Sequence, residues 1–140
     1  MGIKKIDSRS FRRYGRVIEC PGRKPKNKTK SLFRVVITEK AKKGWRIGYL
    51  LLRDKYVDKL EQHPDSLESF EPISGRGLIY LSADKRPARL SCFYLDKPVI
   101  LDKGIWHGVL TLTPESEIKI TENARVKCIY WPLEKKLTPK

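Results

Sequence analysis

The most informative stretch of the chain is Glu61-Gln62-His63-Pro64-Asp65-Ser66-Leu67-Glu68-Ser69-Phe70-Glu71-Pro72-Ile73-Ser74-Gly75. Side chains two residues apart on a β-strand point to the same face, so Glu61 and His63 would share one face. Residues 64–66 are turn-forming, so the next strand can fold back and bring Glu68 beside the first two. The stretch therefore predicts two strands whose Glu and His side chains converge.

Short runs rich in β-branched and aromatic residues fill most of the remaining chain, each bounded by Pro, Gly, Asp or Asn. They lie at residues 14–19, 32–38, 45–52, 77–82, 89–95, 105–112, 117–120 and 125–131. Helical periodicity is found only in a short turn at residues 10–13 and over residues 54–60. Many short strands in one chain favour a sandwich or barrel. We expect a single all-β domain over residues 1–140 with a short N-terminal helical turn.

The basic charge is concentrated in the first third of the chain. The 140 residues carry 31 Lys and Arg against 16 Asp and Glu, a formal net charge of +15. Residues 1–46 hold 16 of these basic and 3 of the acidic residues, a net +13, so the remainder is nearly neutral at +2. Arg23 to Lys30 is a cation-rich polar stretch, which we expect to be a mobile loop.

Two features that the sequence lacks, a membrane-spanning apolar run and a disulfide pattern, indicate the cellular compartment. No apolar run approaches the roughly 20 residues that cross a bilayer, so we expect no membrane association. The three cysteines, Cys20, Cys92 and Cys128, show no C-x-x-C spacing or disulfide framework. A reduced cytoplasmic protein is the expectation. Cys92 and Cys128 lie in apolar runs, which predicts that both are buried.

The spacing E-x-H-x4-E-x6-G in residues 61–75 resembles the first metal motif of the cupin jelly rolls, with Glu61 in place of the first His. The second cupin motif, P-x-G-x2-H, is echoed at residues 102–107, where Gly104 and His107 match. The chain has only two histidines, and both fall at cupin ligand positions. The resemblance implies a small cupin-like jelly-roll β-barrel. It also implies a divalent transition metal (Ni, Zn, Mn or Fe) held by His63, Glu68 and His107.

Within the cupins, the chain resembles the ureidoglycolate lyase family. Residues 10–19 look like its F-x-x-Y-G-x-V-I-E opening, residues 60–64 like its L-E-x-H-P, and residues 106–107 like its W-H, with Phe70, Pro72 and Gly75 in family order. The resemblance implies release of urea from a small anionic carboxylate substrate, with glyoxylate as the other product.

Two chemical roles for the candidate site follow from that resemblance. Elimination of urea needs a base and an acid with separated pKa values, for which Glu61 and His107 are the candidates. Alternatively, the His63, Glu68 and His107 set holds a metal that polarises the substrate oxygen. A substrate carboxylate favours a bidentate arginine, and Arg46 is the candidate. We also expect a homodimer, because the open sheets of such barrels pair with one another.

Other interpretations of the same residues remain open. The basic first third, interleaved with aromatics, fits a nucleic-acid partner, but no known nucleic-acid motif is present, so a solvated basic face is favoured. A cupin barrel without catalytic chemistry, acting as a binding module for nucleic acid or another anion, is a third interpretation. Glu68 could instead pair with a surface cation. Phe70, Tyr94 and Trp106 are expected in the core.

Overall fold

The computed structural model describes residues 1–19, 22–23, 37, 39 and 42–139. The elements of this part of the chain are β1 (Ile3–Lys4), α1 (Ser8–Phe11), β2 (Gly15–Val17), β3 (Trp45–Leu52), β4 (Val57–Gln62), β5 (Glu68–Ser74), β6 (Gly77–Ser82), β7 (Ser91–Tyr94), β8 (Val99–Leu101), β9 (Trp106–Thr111), β10 (Ser116–Asn123) and β11 (Ile129–Leu137).

The strands form two facing sheets. One sheet has the order β1-β7-β6-β9-β4-β11, and the other has the order β2-β8-β5-β10-β3. The β1–β7 pair is parallel and the other ladders are antiparallel. From β3 to β6 and from β7 to β11, consecutive strands alternate between the sheets. This alternation produces the all-β, cupin-like jelly roll that the sequence predicts.

The main core lies between the two sheets. Its buried members come from both, including Ile79 and Phe93 on one side and Phe70 and Val99 on the other. Phe11 of α1 packs edge-on against Phe93, with ring centroids 5.4 Å apart, and closes one end of this core. Apolar side chains of α1, β2, β7 and β8 therefore fill the space between the sheets on the side of β1 and β2.

A second apolar cluster covers the opposite face of the six-stranded sheet. Leu78, Tyr80, Trp106 and Leu110 are buried there, and partly buried leucines of β11 pack against them. Strand β6 is buried on both faces for this reason. Trp106 and Phe70 are core residues as predicted, whereas Tyr94, the last residue of β7, is exposed and belongs to neither cluster.

The predicted helical segment at residues 54–60 is wrong, because strand β4 begins at Val57. Val57 and Leu60 are both buried and three residues apart, which imitates helical spacing. Their spacing arises instead from an irregular register in the β4–β11 ladder, where Leu60 pairs with Trp131 and Val57 with Leu137. Strand β8 was missed because it has only three residues.

Some predictions concern residues outside the described part of the chain. The predicted basic loop at residues 23–30 falls there except for Arg23, and so does the predicted strand at residues 32–38 except for Ile37. Among the described residues, no helix has the length and apolar character needed to cross a membrane.

Candidate metal centre

Four side chains from both sheets meet in the space between the sheets. Glu61 on β4 lies directly opposite His107 on β9 in the antiparallel ladder, so both point to the inner face of the six-stranded sheet. His63 follows the end of β4, and Glu68 is the first residue of β5 in the facing sheet. Each sheet therefore supplies ligand-type groups to the space between them.

Two glycine turns fix how these strands enter the site. Gly104 has φ +77°, and its N–H donates a hydrogen bond of 2.9 Å to the carbonyl of His63. Gly75 has φ +80° in the turn between β5 and β6. Such backbone conformations favour glycine because it lacks a Cβ. The glycine of the second sequence motif thus binds directly to the histidine of the first.

The ligand-type atoms of this cluster are closely spaced. Four ligand-type atoms lie within 4.8 Å of one another, one from each of Glu61, His63, Glu68 and His107. Glu68 bridges the histidines, with Oε2 at 2.9 Å from His63 Nε2 and Oε1 at 3.0 Å from His107 Nε2. Glu61 Oε1 lies 3.4 Å from His107 Nε2 and 3.9 Å from His63 Nε2. We refer to these four residues as the Glu-His cluster.

Backbone carbonyls orient both imidazole rings. His107 Nδ1 lies 3.0 Å from the carbonyl of Ile105, and His63 Nδ1 lies 3.1 Å from the carbonyl of Lys127. Since a carbonyl only accepts, each Nδ1 carries a proton and donates it. In the neutral ring, the Nε2 lone pair of each histidine then points into the cluster, which is the arrangement that metal-binding histidines use.

Electrostatics holds the cluster in an ion-paired state when metal is absent. Burial disfavours the charged imidazole of His107, but the carboxylates of Glu61 and Glu68 beside it outweigh burial and raise its pKa to about 10. Burial alone would raise the pKa of Glu68, yet the two histidines lower it to about 2. The pKa of His63 is also raised, because the Glu68 carboxylate outweighs burial. His107 is therefore protonated at neutral pH unless a metal takes the place of its Nε2 proton, and the raised pKa of His63 favours its protonated form in the same direction.

A cavity of about 390 Å³ opens onto the Glu-His cluster. The side chains of His63, Glu68 and His107 are only 4–6% exposed, whereas that of Glu61 is 35% exposed. Glu61 is thus the cluster member most accessible to a molecule in the cavity. Arg46 also lines the cavity wall, where its guanidinium pairs with Glu122 at 3.2 Å.

The chain has relatives among known proteins. No family model matches the chain. The ureidoglycolate lyase of Rhizobium leguminosarum bv. trifolii (strain WSM2304) is 30% identical over 125 residues, which cover 79% of this chain and 75% of that protein. The chain belongs to the ureidoglycolate lyase family. Ureidoglycolate lyases of two Rhizobium etli strains, CFN 42 and CIAT 652, are 29% identical over the same shares of both chains.

Among solved structures, oxalate decarboxylase of Bacillus subtilis is similar with a TM-score of 0.47 and 16% identity. The similarity covers 65% of this chain and 24% of that protein.

The residues of this ureidoglycolate lyase family member fit a transition metal. Two imidazole nitrogens and two carboxylates suit Zn, Mn, Fe and Ni. An ion bound at about 2.1 Å separates neighbouring donors by roughly 3.0 Å in an octahedron and roughly 3.4 Å in a tetrahedron, which is close to the distances between the histidine and glutamate atoms. Within the described part of the chain, His107 Nε2 and Glu68 Oε1 are buried without a hydrogen-bond partner, although they lie 3.0 Å apart. The two atoms form an ion pair while His107 is protonated, and both become available as ligands once a metal displaces that proton.

The structure brings together all the site residues that the sequence singles out. The four members of the Glu-His cluster converge, and Arg46 lies on the same cavity wall. Glu68 is buried in the cluster, and among the described residues it pairs with no surface cation. Whether Glu61 and His107 act as base and acid, and whether Arg46 binds substrate, stay predictions.

Two cavity residues were missed by sequence reasoning. Glu122 is a largely buried carboxylate on the wall, and its signal was present, since it continues the inward-facing alternation of Ile118 and Ile120 on β10. Cys128 was predicted to be buried, but it is exposed and lines the cavity, with Sγ 3.6 Å from His63 Nδ1. The prediction is wrong because Cys128 precedes the first residue of β11 and lies outside the apolar strand.

Proposed function

We propose that this protein is a ureidoglycolate lyase-type enzyme, which eliminates urea from ureidoglycolate or a closely related hydroxy-ureido carboxylate and leaves glyoxylate. The observation that carries the proposal is the convergence of the Glu-His cluster on a cavity that also has Arg46 on its wall. Membership of the ureidoglycolate lyase family supports the same substrate class.

The reaction needs one proton to move while one bond breaks. The hydroxyl proton leaves the substrate, the C–O bond becomes a carbonyl, and the C–N bond breaks with its electron pair going to the urea nitrogen. That nitrogen then takes a proton. No oxidant or second substrate is required, so a base that later acts as an acid is sufficient.

Glu61 is the group that we assign to proton transfer. In the metal-free protein the neighbouring His107 lowers the pKa of Glu61 despite partial burial, and a divalent cation held by His107 would favour the ionised carboxylate for the same electrostatic reason. Its partial exposure lets the carboxylate reach the substrate hydroxyl from the cavity. After the C–N bond breaks, the same carboxyl group returns the proton to the departing nitrogen.

The three buried residues hold the metal in this scheme. His63, Glu68 and His107 would bind a divalent transition metal, which would polarise the substrate hydroxyl oxygen and lower its pKa. Arg46 would hold the substrate carboxylate through paired, charge-assisted hydrogen bonds. The substrate would then be fixed at one end by Arg46 and at the other by the cluster.

The direct test is turnover of ureidoglycolate by protein loaded with Mn, Zn, Ni or Fe. Glyoxylate is followed with an NADH-dependent glyoxylate reductase, and urea is measured in the same samples. We expect equal amounts of both products, and a loss of about 100-fold or more in Glu61→Gln with the metal retained. The matched control is Glu117→Gln, on the outer face of β10. No turnover above background with any of the four metals would reject the proposal.

A further inference from the structure

Three charged residues lie in one row across the five-stranded sheet. In the ladders, Glu122 on β10 is directly opposite Arg46 on β3 and directly opposite Glu68 on β5. Directly paired residues in antiparallel strands point to the same face, so the three side chains stand side by side on the cavity wall. Glu122 is the middle member, between the metal-binding carboxylate and the arginine.

The two oxygens of Glu122 have different surroundings. Oε1 accepts a hydrogen bond of 3.2 Å from Arg46, whose side chain is about half exposed. Oε2 is buried, has no hydrogen-bond partner among the described residues, and lies 3.9 Å from His63 Nε2. The carboxylate thus has one oxygen buried beside the cluster and pairs with Arg46 through the other.

We infer that Glu122 is the positioning residue that fixes the Arg46 guanidinium, and thereby selects substrates with a carboxylate next to the carbon that the cluster acts on. This inference rests on the proposed function for its substrate and goes beyond it by naming the residue that makes Arg46 selective. An arginine held in place loses less side-chain entropy on binding than a free one. Its remaining N–H groups keep the planar geometry that a carboxylate matches in a bidentate way.

Glu122 uses only part of the hydrogen-bonding capacity of Arg46. Arg46 uses one terminal nitrogen for Glu122, at 3.2 Å, and its half-exposed guanidinium has further donors for a ligand in the cavity. Glu122 lies beside the Glu68 carboxylate, and Glu61 lines the same cavity. Of the two described cations that line the cavity, Arg46 adjoins this row of carboxylates, whereas Lys59 lies over the Tyr130 ring, 4.8 Å from its centroid. Carboxylate binding is therefore assigned to Arg46 and its partner Glu122.

The test compares glycolate with glycolamide, in which a neutral amide replaces the carboxylate. Dissociation constants are measured by calorimetry on metal-loaded protein, and KM and kcat are measured for ureidoglycolate. We expect Arg46→Ala to weaken glycolate binding about 10- to 100-fold and to leave glycolamide nearly unchanged. Glu122→Ala should weaken glycolate binding about 3- to 10-fold. For ureidoglycolate, it should raise KM by a similar factor and change kcat less than about 3-fold.

Two further variants show whether Glu122 acts through Arg46. In the Arg46→Ala background, Glu122→Ala should have no additional effect on glycolate, because the side chain that it positions is gone. Glu122→Gln keeps an oxygen that accepts from Arg46 and should lie between wild type and Glu122→Ala. Glu117→Gln, a glutamate on the same strand whose carboxylate binds Tyr49 and Ser74 on the outer face, should behave as wild type.

Several results would overturn the inference. These are equal weakening of glycolate and glycolamide, additive effects of the Glu122 and Arg46 substitutions, or loss of metal from Glu122→Gln measured by elemental analysis. The last result would place Glu122 among the metal ligands. If wild type fails to turn over ureidoglycolate but still prefers glycolate in an Arg46- and Glu122-dependent way, the proposed lyase function fails and the positioning role stands.

Discussion

The Glu68 carboxylate lies between two imidazoles and is almost fully buried, with one oxygen facing each ring. A metal in the Glu-His cluster would replace the proton-mediated contacts between these groups, so Glu68 should matter more for metal affinity than for folding. We expect Glu68→Gln to reduce the affinity for Mn or Zn by at least about 10- to 100-fold. Titration calorimetry of metal-free protein measures this.

The matched control for that substitution is Glu71→Gln on the same strand. Glu71 is only partly buried and lies 3.7 Å from Lys119, outside the cluster. Its replacement should leave metal affinity unchanged. Equal affinities of wild type and Glu68→Gln would show that Glu68 is not a ligand.

Cys128 gives chemical access to the cavity. Its thiol is exposed beside His63, whereas Cys92 is buried in the second apolar cluster. Burial and nearby glutamates raise the pKa of Cys128, so alkylation should be slow at pH 7 and faster at pH 9. We expect iodoacetamide to label Cys128 and not Cys92 in the folded protein, and labelling to abolish ureidoglycolate turnover by filling the cavity.

Peptide mass analysis locates the label, and Cys128→Ala provides the control. That variant should keep its activity and lose its sensitivity to iodoacetamide. Inactivation of Cys128→Ala at the wild-type rate would mean that the effect comes from another residue.

At the residue scale, the sequence predicts the cluster better than its surroundings. His63, Glu68 and His107 are recognisable because their spacing within two short motifs is preserved. Glu122 has no local motif, and its role depends on the register that places it between Arg46 and Glu68. Strand register is set by long-range pairing, which spacing within one segment does not reveal.

At the scale of elements, the turn after β5 shows why a glycine ends the first motif. A Cβ on Gly75 would lie 2.5 Å from the carbonyl oxygen of Glu115, and its φ of +80° disfavours other residues. We expect Gly75→Ala to lower the free energy of unfolding by roughly 1–3 kcal/mol. Gly2→Ala, where nothing lies within 4 Å of the added Cβ, is the matched control and should be nearly neutral. Urea denaturation of both variants measures the difference, and equal stabilities would contradict the role of this turn.

Elements with clean alternation or continuous apolar character were predicted with the right bounds. β3 and β6 are such strands, and their bounds agree with the sequence-based ones. The strand β4 was obscured because its buried residues follow an irregular ladder rather than a period of two. Hydrophobic alternation therefore predicts the bounds of a strand that pairs regularly. It does not do so where a bulge changes which side chains face the core.

At the scale of the whole molecule, the chain is basic, whereas its candidate site is rich in carboxylates. The chain carries +15 overall, yet its cavity is lined by three neighbouring carboxylates, Glu61, Glu68 and Glu122. Arg46 and a metal ion would supply the positive charge that a small anion needs there. Five of the 31 basic residues, and no acidic residue, lie in residues 24–34, outside the described part of the chain. The homodimer and the nucleic-acid partner stay predictions, which light scattering and salt-dependent oligonucleotide binding can check.

The protonation of the cluster makes the stability of the metal-free protein depend on pH. His107 has a pKa of about 10 in the folded chain against an ordinary 6.5, so its contribution is complete below pH 6.5 and is lost as pH rises towards 10. Glu68 has a pKa of about 2 against 4.5, so its contribution is complete above pH 4.5 and is lost as pH falls towards 2. We expect the cluster to stabilise the metal-free protein most between pH 4.5 and 6.5.

Denaturation of chelator-treated protein at pH 6 and pH 9 tests this expectation. The free energy of unfolding should be lower at pH 9, and the difference between the two pH values should shrink in the double variant Glu68→Gln and His107→Gln. Adding Zn should reverse the trend, because metal binding displaces the Nε2 protons and becomes more favourable as pH rises. A wild-type protein whose metal-free stability increases from pH 6 to pH 9, by an amount that the double variant does not share, would show that the histidines are not held protonated by Glu61 and Glu68.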